Sequence, residues 1–361
     1  MDPAEADVPK AVLYCWPTSA LATVPRLALI EKGYSEDEYV ISPVDITKGE
    51  NFSHNYLKIN ADGECESNMH PTDFLLTAGA IPTFAVPRKE TKLGAAEPIY
   101  HMLCDTAVGI MEVEHALGNA DRGQSICEFI DNCLPVGTPA APGGRPSPRL
   151  SPATPADQSL SSTLIDLVRQ STVDPNFLYL SIVDKNEARR KWSGPQGAML
   201  GARSLALRRY LQQYRQDVMS PAPSSQQSAE PRFISFLEQK ALSNQAILDI
   251  YTGDAPEDRV LEFIEASRAS WTVHLPSTLA KLESQIVGPY CLGDDLTFAD
   301  CYVVAWLAQI VKICSPGMSL GPHGLQSVEQ FIGGYRIGPK LHIYWGHWAQ
   351  RTSFRKALQG L

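Results

Sequence analysis

The chain has 361 residues, of which 44% are hydrophobic and 20% charged, with a formal net charge of −9. These are the proportions of an ordinary globular protein, and they exclude a collagen, a long coiled coil or a wholly disordered chain; the length suits two domains with extra segments. The charge is uneven. Residues 1–119 carry 18 acidic and 8 basic side chains while the rest is close to neutral, so neither nucleic acid nor an acidic membrane surface is an expected partner.

The eight cysteines are scattered, with no Cys-x-x-Cys pair, which favours a reducing compartment over a disulfide framework. The opening MDPAEADVPK is acidic and proline-bearing, and no apolar run approaches 18 residues. The expectation is a cytoplasmic protein with no membrane segment.

In chain order, Ala11–Cys15 is a short apolar run that fits a buried strand, and residues 20–33 have Leu, Val and Ala at helical spacing, ending at Gly33. Residues 38–46 read as a second strand and 51–60 as a short helix. Ile81-Pro82-Thr83-Phe84 begins a third strand, a fourth lies near 97–103, and a helix is expected from Asp105 to about Leu117. The order predicts a small sheet with a parallel start and an antiparallel finish. Seven prolines fall between Pro135 and Pro155, which reads as a flexible linker or inserted loop over 135–158. From 160 onward the chain reads as helical, with helices near 160–170, 184–217 (broken at Gly194-Pro195), 232–252, 256–286 and 297–313, and a second linker at 220–231.

Three places could carry chemistry. Ser19, with Thr18, stands where strand turns into helix, beside free N–H groups and the positive end of the helix dipole, a location that favours a thiolate; a serine there also caps helices routinely. Ile81-Pro82 opens a strand. An ordinary trans bond is the expectation, whereas a cis bond would let the Ile81 backbone pair with an extended ligand. Asp105-Thr106 are good helix caps that could equally hold the two ends of an amino-acid group. Further along, Thr297 and Asp300 have the spacing of a capping box.

Taken together in this order, with Tyr290-Cys291-Leu292-Gly293-Asp294-Asp295-Leu296-Thr297-Phe298-Ala299-Asp300 later in the chain, these features resemble the glutathione transferase family. The intervening Asp174-Pro175-Asn176-Phe177-Leu178-Tyr179-Leu180 stretch is most similar to fungal glutathione-transferase-like proteins. The resemblance covers about 11–119 and 232–313. It implies a thioredoxin-like α/β domain at 8–119, a Pro-rich insertion at 120–159 and an all-α domain at 160–361. It also implies glutathione as co-substrate, no metal, and a small hydrophobic electrophile as second substrate, with the chain commonly a homodimer.

By the same resemblance, Ser19 donates to the glutathione sulfur, the backbone at Ile81-Pro82 pairs with the cysteinyl part, and Asp105 with Thr106 holds the γ-glutamyl end. Tyr14 is the competing donor and Cys15 a third candidate. His54 and Lys48 could meet the glycyl carboxylate, and Tyr302 with Trp306 could line the electrophile site. Three departures stand out: a twenty-residue excursion at 61–80, Ala80 where many members carry Gln or Lys, and Ala20 where a proline often follows the serine. A protein that keeps the fold and only binds or scaffolds, or a glutathione-independent enzyme, is the alternative.

Overall fold

The computed structural model describes residues 10–17, 19–60, 81–87, 100–104, 125–138, 146–219 and 231–358. The expected helix from Asp105, the excursion at 61–80 and Ala80 lie outside them.

Among the described residues four strands form one sheet: β1 Ala11–Cys15, β2 Tyr39–Pro43, β3 Thr83–Pro87 and β4 Tyr100–Cys104, in the order β2-β1-β3-β4. β1 and β2 run parallel, with Leu13 opposite Ile41. β3 is antiparallel to both β1 and β4, and Tyr14, Thr83 and Cys104 align across the three strands. Alternation explains the two faces of β1. Leu13 and Cys15 are fully buried on one face, together with Phe84 and Leu103 from the neighbouring strands, while Val12 and Tyr14 are half-buried on the other.

Between β1 and β2, α1 (Ala20–Lys32) ends at Gly33, which adopts φ 92°. Gly33 and Tyr34 return their N–H groups to Leu29 and Ile30 carbonyls at 3.0–3.2 Å. This closing turn needs a left-handed residue, which glycine supplies without strain. After β2 come a 3-10 turn at Glu50–Phe52 and α2 (His54–Ile59); then α3 (Ile126–Cys133), α4 (Pro155–Val168), α5 (Pro175–Leu180), α6 (Lys185–Trp192), α7 (Pro195–Met219), α8 (Pro231–Thr252) and α9 (Glu257–Ala269). A π-helical turn, Ser270–His274, joins α9 to α10 (Leu275–Gln285), and α11 (Phe298–Cys314), α12 (Gly324–Ile332), α13 (Pro339–Gln350) and α14 (Thr352–Leu358) complete the chain.

Two compact units result. One comprises residues 1–43, 81–168 and 279–361, the other 44–80 and 169–278. In the first, α1 packs against α3, α11 and α14. Helix α11 is buried all round from Phe298 to Val311, so it serves as that unit's core element rather than a surface helix. Its start carries the expected capping box: Asp300 accepts from Thr297 N at 2.8 Å, from Thr297 Oγ1 at 3.0 Å and from Cys291 N at 2.8 Å. Aromatic residues of α13 and α14 pack together, with Tyr344, Trp345 and Trp348 fully buried and Phe354 in edge contact with Trp345. Arg351 lies over the Tyr290 and Trp348 rings and pairs with Glu31 of α1, its Nε 2.8 Å from Oε1.

In the second unit, α7 and α8 pack lengthwise. Phe52 and Leu57 close one core with Leu207, Tyr214, Phe233 and Leu237. A second core gathers Leu180, Ile182, Leu200, Ile247, Tyr251 and Ile264. The connector from α5 to α6 is held by side chains: Tyr251 Oη donates to Leu180 O at 2.6 Å, Trp271 Nε1 to Ser181 Oγ at 2.8 Å, and Ser267 Oγ accepts from Ile182 N at 3.2 Å.

The Pro-rich segment departs from the expected free loop over part of its length. Ser147 and Leu150 are buried, and the helix begins at Pro155. The reason is a buried ion pair. Lys32 Nζ, fully buried at the end of α1, lies 2.7 Å from Asp131 Oδ1 of α3 and donates to Pro148 O at 2.7 Å. Asp131 also accepts from Leu150 N and Ser151 N, both at 3.0 Å. A composition too poor in apolar groups to fold alone is thus anchored through its backbone.

Candidate functional site

The turn from β1 into α1 is the best-defined candidate. Ser19 has extended backbone (φ −86°, ψ 122°), and its Oγ accepts from Ala22 N at 3.2 Å, so it caps the helix. Its carbonyl accepts from Thr23 N at 3.2 Å and Thr23 Oγ1 at 3.0 Å. The hydroxyl proton goes to no described residue. Capping uses an acceptor lone pair and leaves the O–H donor available, so the two readings of Ser19 are compatible. Thr18 lies outside the described residues.

Sheet register brings Ile81-Pro82 to the same end of the sheet as this turn. Thr83, the first residue of β3, pairs with Tyr14, the penultimate residue of β1, so the dipeptide before Thr83 and the turn after Cys15 leave the sheet together. The Ile81–Pro82 bond is cis, contrary to the trans expectation. β4 ends at Cys104, opposite Thr83; Asp105 and Thr106 follow directly but lie outside the described residues.

Tyr14 stands on the half-buried face. Burial, with Tyr100 nearby, raises its pKa, so the phenol stays protonated at neutral pH and is a donor rather than a phenolate. Cys15 lies on the opposite, buried face with no exposed surface. Burial pushes its thiol up to about 11 despite the Arg26 guanidinium, which makes it inert as a nucleophile at neutral pH.

His54 and Lys48 belong to the other compact unit. The His54 ring lies 4.8 Å from that of Tyr214, and burial, followed by Lys58, lowers its pKa, so it packs there as a neutral ring. Lys48 pairs with Asp45 at 2.9 Å. Tyr302 and Trp306 are both buried in α11, in keeping with core packing. Sequence reasoning did not single out Trp16, whose carbonyl accepts from Ser19 N at 3.1 Å and sets the turn; one aromatic residue beside a proline carries no such signal. Among the described residues no group of three or more His, Cys, Asp or Glu side chains could hold a metal ion, and no helix is long and apolar enough to cross a membrane.

A mixed four-stranded sheet in the order β2-β1-β3-β4, with a helix-rich remainder, defines a thioredoxin-like domain joined to a large helical complement. No protein-family model matches the chain, and no curated protein does. Among solved structures it is similar to a glutathione S-transferase domain-containing protein from Marinobacter aquaeolei VT8, at 14% identity and TM-score 0.42 over 95% of this chain and 99% of that one. It is similar also to maleylacetoacetate isomerase from Anaeromyxobacter dehalogenans 2CP-1, solved with glutathione in its active site, at 14% identity and TM-score 0.42 over 96% and 94%. Glutathione transferase Omega 3C from Trametes versicolor matches at 13% identity and TM-score 0.42 over 99% and 91%.

Proposed function

We propose that this chain is a glutathione-transferase-like enzyme, which binds glutathione at the end of the sheet where β1 gives way to α1 and presents its sulfur to a small hydrophobic electrophile. The observation that carries the reading is Ser19: a helix N-cap whose hydroxyl proton goes to no described residue, next to a strand pair whose β3 begins directly after Ile81-Pro82. A thiol with a pKa near 8.5 is mostly protonated at pH 7. A hydroxyl donor and the N-terminal end of α1 both favour the thiolate without changing charge themselves. Backbone groups at Ile81 would pair with the cysteinyl part, and Asp105 with Thr106 would hold the γ-glutamyl end. Tyr14 is the second donor candidate.

Isothermal titration with glutathione tests binding, and no heat of binding at millimolar ligand overturns the reading. Ser19→Asp tests the chemistry. Aspartate retains the cap but lacks a donor, so the variant should keep wild-type stability while the thiolate absorbance of bound glutathione moves to higher pH and turnover falls about 100-fold, the usual span for loss of one oriented polar group.

A second reading, a non-catalytic binding protein, is favoured by one observation: of the two residues expected at the glycyl carboxylate, His54 packs on Tyr214 as a neutral ring and Lys48 pairs with Asp45. It predicts that Ser19→Asp and Tyr14→Phe leave ligand affinity unchanged and that no electrophile is turned over.

A further inference from the structure

The Pro-rich segment repeats one four-residue pattern in tandem, Arg145-Pro146-Ser147-Pro148 and Arg149-Leu150-Ser151-Pro152. A serine that precedes proline is kept out of the α region and held extended, the conformation in which a kinase cleft takes its substrate. The second serine has a particular location. Ser151 Oγ donates to Asp131 Oδ2 at 2.8 Å, and its N–H donates to the same oxygen at 3.0 Å. Asp131 is buried and pairs with the fully buried Lys32, which in turn holds Pro148 O. Leu150 has no exposed surface, and its carbonyl accepts from Phe298 N, the first residue of α11, at 3.0 Å. The segment from Pro146 to Ser151 is therefore a strap: Asp131 takes the Leu150 and Ser151 N–H groups and the Ser151 hydroxyl, Lys32 holds Pro148 O, Phe298 N holds Leu150 O, and Ser147 exchanges backbone bonds with Gly137 and Thr138.

A phosphate on that hydroxyl removes the O–H donor and sets a charge of about −1.5 to −2 against the carboxylate it now serves. Lys32 is already engaged by Asp131 and Pro148. Arg149, whose Nε reaches Ser151 Oγ at 3.1 Å, is exposed and would hold a phosphate as readily in water as in the docked strap. The docked arrangement sets the phosphate against the Asp131 carboxylate, whereas the undocked one lets the two anions separate into water.

We propose that Ser151 is a phosphoacceptor for a proline-directed serine/threonine kinase, and that its modification releases the strap from Asp131 and Lys32. In the transfer, Ser151 Oγ attacks the γ-phosphorus of ATP, the new O–P bond forms as the bond to ADP breaks, and the hydroxyl proton passes to the kinase's base. The kinase acts on the locally opened strap, and the phosphate then shifts the population toward that state. Ser147 shares the pattern but its buried hydroxyl has no hydrogen-bond partner among the described residues, and Thr154 is an exposed cap of α4 bonded to Asp157; neither side chain bonds to the ion pair.

The test uses the full chain, MgATP and a purified proline-directed kinase, with site mapping by mass spectrometry and hydrogen exchange across 146–151. A synthetic peptide of residues 145–156 serves as an unfolded substrate. The expected result is phosphate on Ser151 in both, with the Leu150 and Ser151 amides of the modified protein exchanging at least 100-fold faster. Absence of phosphate on Ser151 in the peptide, its presence in the peptide but not in the full chain, or transfer only to Ser147 or Thr154 overturns the assignment. Phosphate on Ser151 with unchanged amide protection overturns the release. Ser151→Ala, which keeps the backbone bonds to Asp131, should fold and lose that phosphate.

Discussion

Ser19 caps its helix with an acceptor lone pair alone, so the proposed donor role would use a different part of the same hydroxyl. Its oxygen lone pair satisfies a first-turn N–H, and removal of a serine cap ordinarily costs about 1 kcal/mol. Ser19→Ala should therefore destabilise the protein by about that amount in urea unfolding, whereas Ser19→Asp should not. Glycines on α7 give a sharper contrast. A Cβ on Gly197 would lie 2.0 Å from the Trp192 carbonyl oxygen, while one on Gly201 meets nothing. Gly197→Ala should destabilise by about 1–3 kcal/mol because backbone must move. Gly201→Ala should be neutral or stabilising by up to about 1 kcal/mol, since alanine favours helix; thermal melts of the two variants check both signs. The Ser19 cap was legible in the sequence because capping is local, and the difference between the two glycines was not, because it depends on how α6 turns into α7.

At the scale of elements, α11 shows what local pattern can and cannot specify. The Thr297–Asp300 spacing announces the start of the helix. What the spacing conceals is that Asp300 also accepts from Cys291 N, nine residues back, and is itself fully buried. Burial raises its carboxyl pKa to about 6, against the lowering effect of the Cys291 and Thr297 donors. Asp300→Ala strands those donors away from water. With about 1–3 kcal/mol for each buried group left unpaired, the expected loss is about 3 kcal/mol or more, measurable as a fall in the urea midpoint at unchanged m-value. The described strands and the long helices were likewise readable from periodicity, whereas α3 falls where an insertion was expected and the expected helix over 256–286 is divided by a π-helical turn. The Pro-rich segment was misjudged over 146–151 because its order comes from Lys32 and Asp131, which are 99 residues apart.

For the molecule as a whole, that buried pair sets a pH dependence. Burial pushes the Asp131 carboxyl up, but Lys32 and the Leu150 and Ser151 donors outweigh it and leave it below the ordinary value. An acid held lower in the folded state contributes stability that is complete above its unfolded pKa, about 3.9, and is lost as pH falls through the folded value. Asp131→Asn should be less stable than wild type by about 3–5 kcal/mol at pH 7, the usual cost of breaking a buried pair. The gap should narrow below about pH 4. Urea unfolding of both proteins from pH 3 to 8 checks the sign. The acidic balance of residues 1–119 bears on the proposed ligand too, since an anionic tripeptide would have to be held by helix amides and hydroxyls against that background.

By itself the sequence determined what short-range physics controls: strand alternation, the caps at Ser19 and Thr297, the closing Gly33, and the mixed sheet with its helical complement. Tertiary structure alone decided the rest. It set Thr83 beside Tyr14, bound His54 into a different compact unit, and fastened the Pro-rich strap to a lysine–aspartate pair. These outcomes depend on which distant side chains share a low-dielectric interior, where a charge must find its counter-charge and a polar group its partner, and no local pattern encodes that choice.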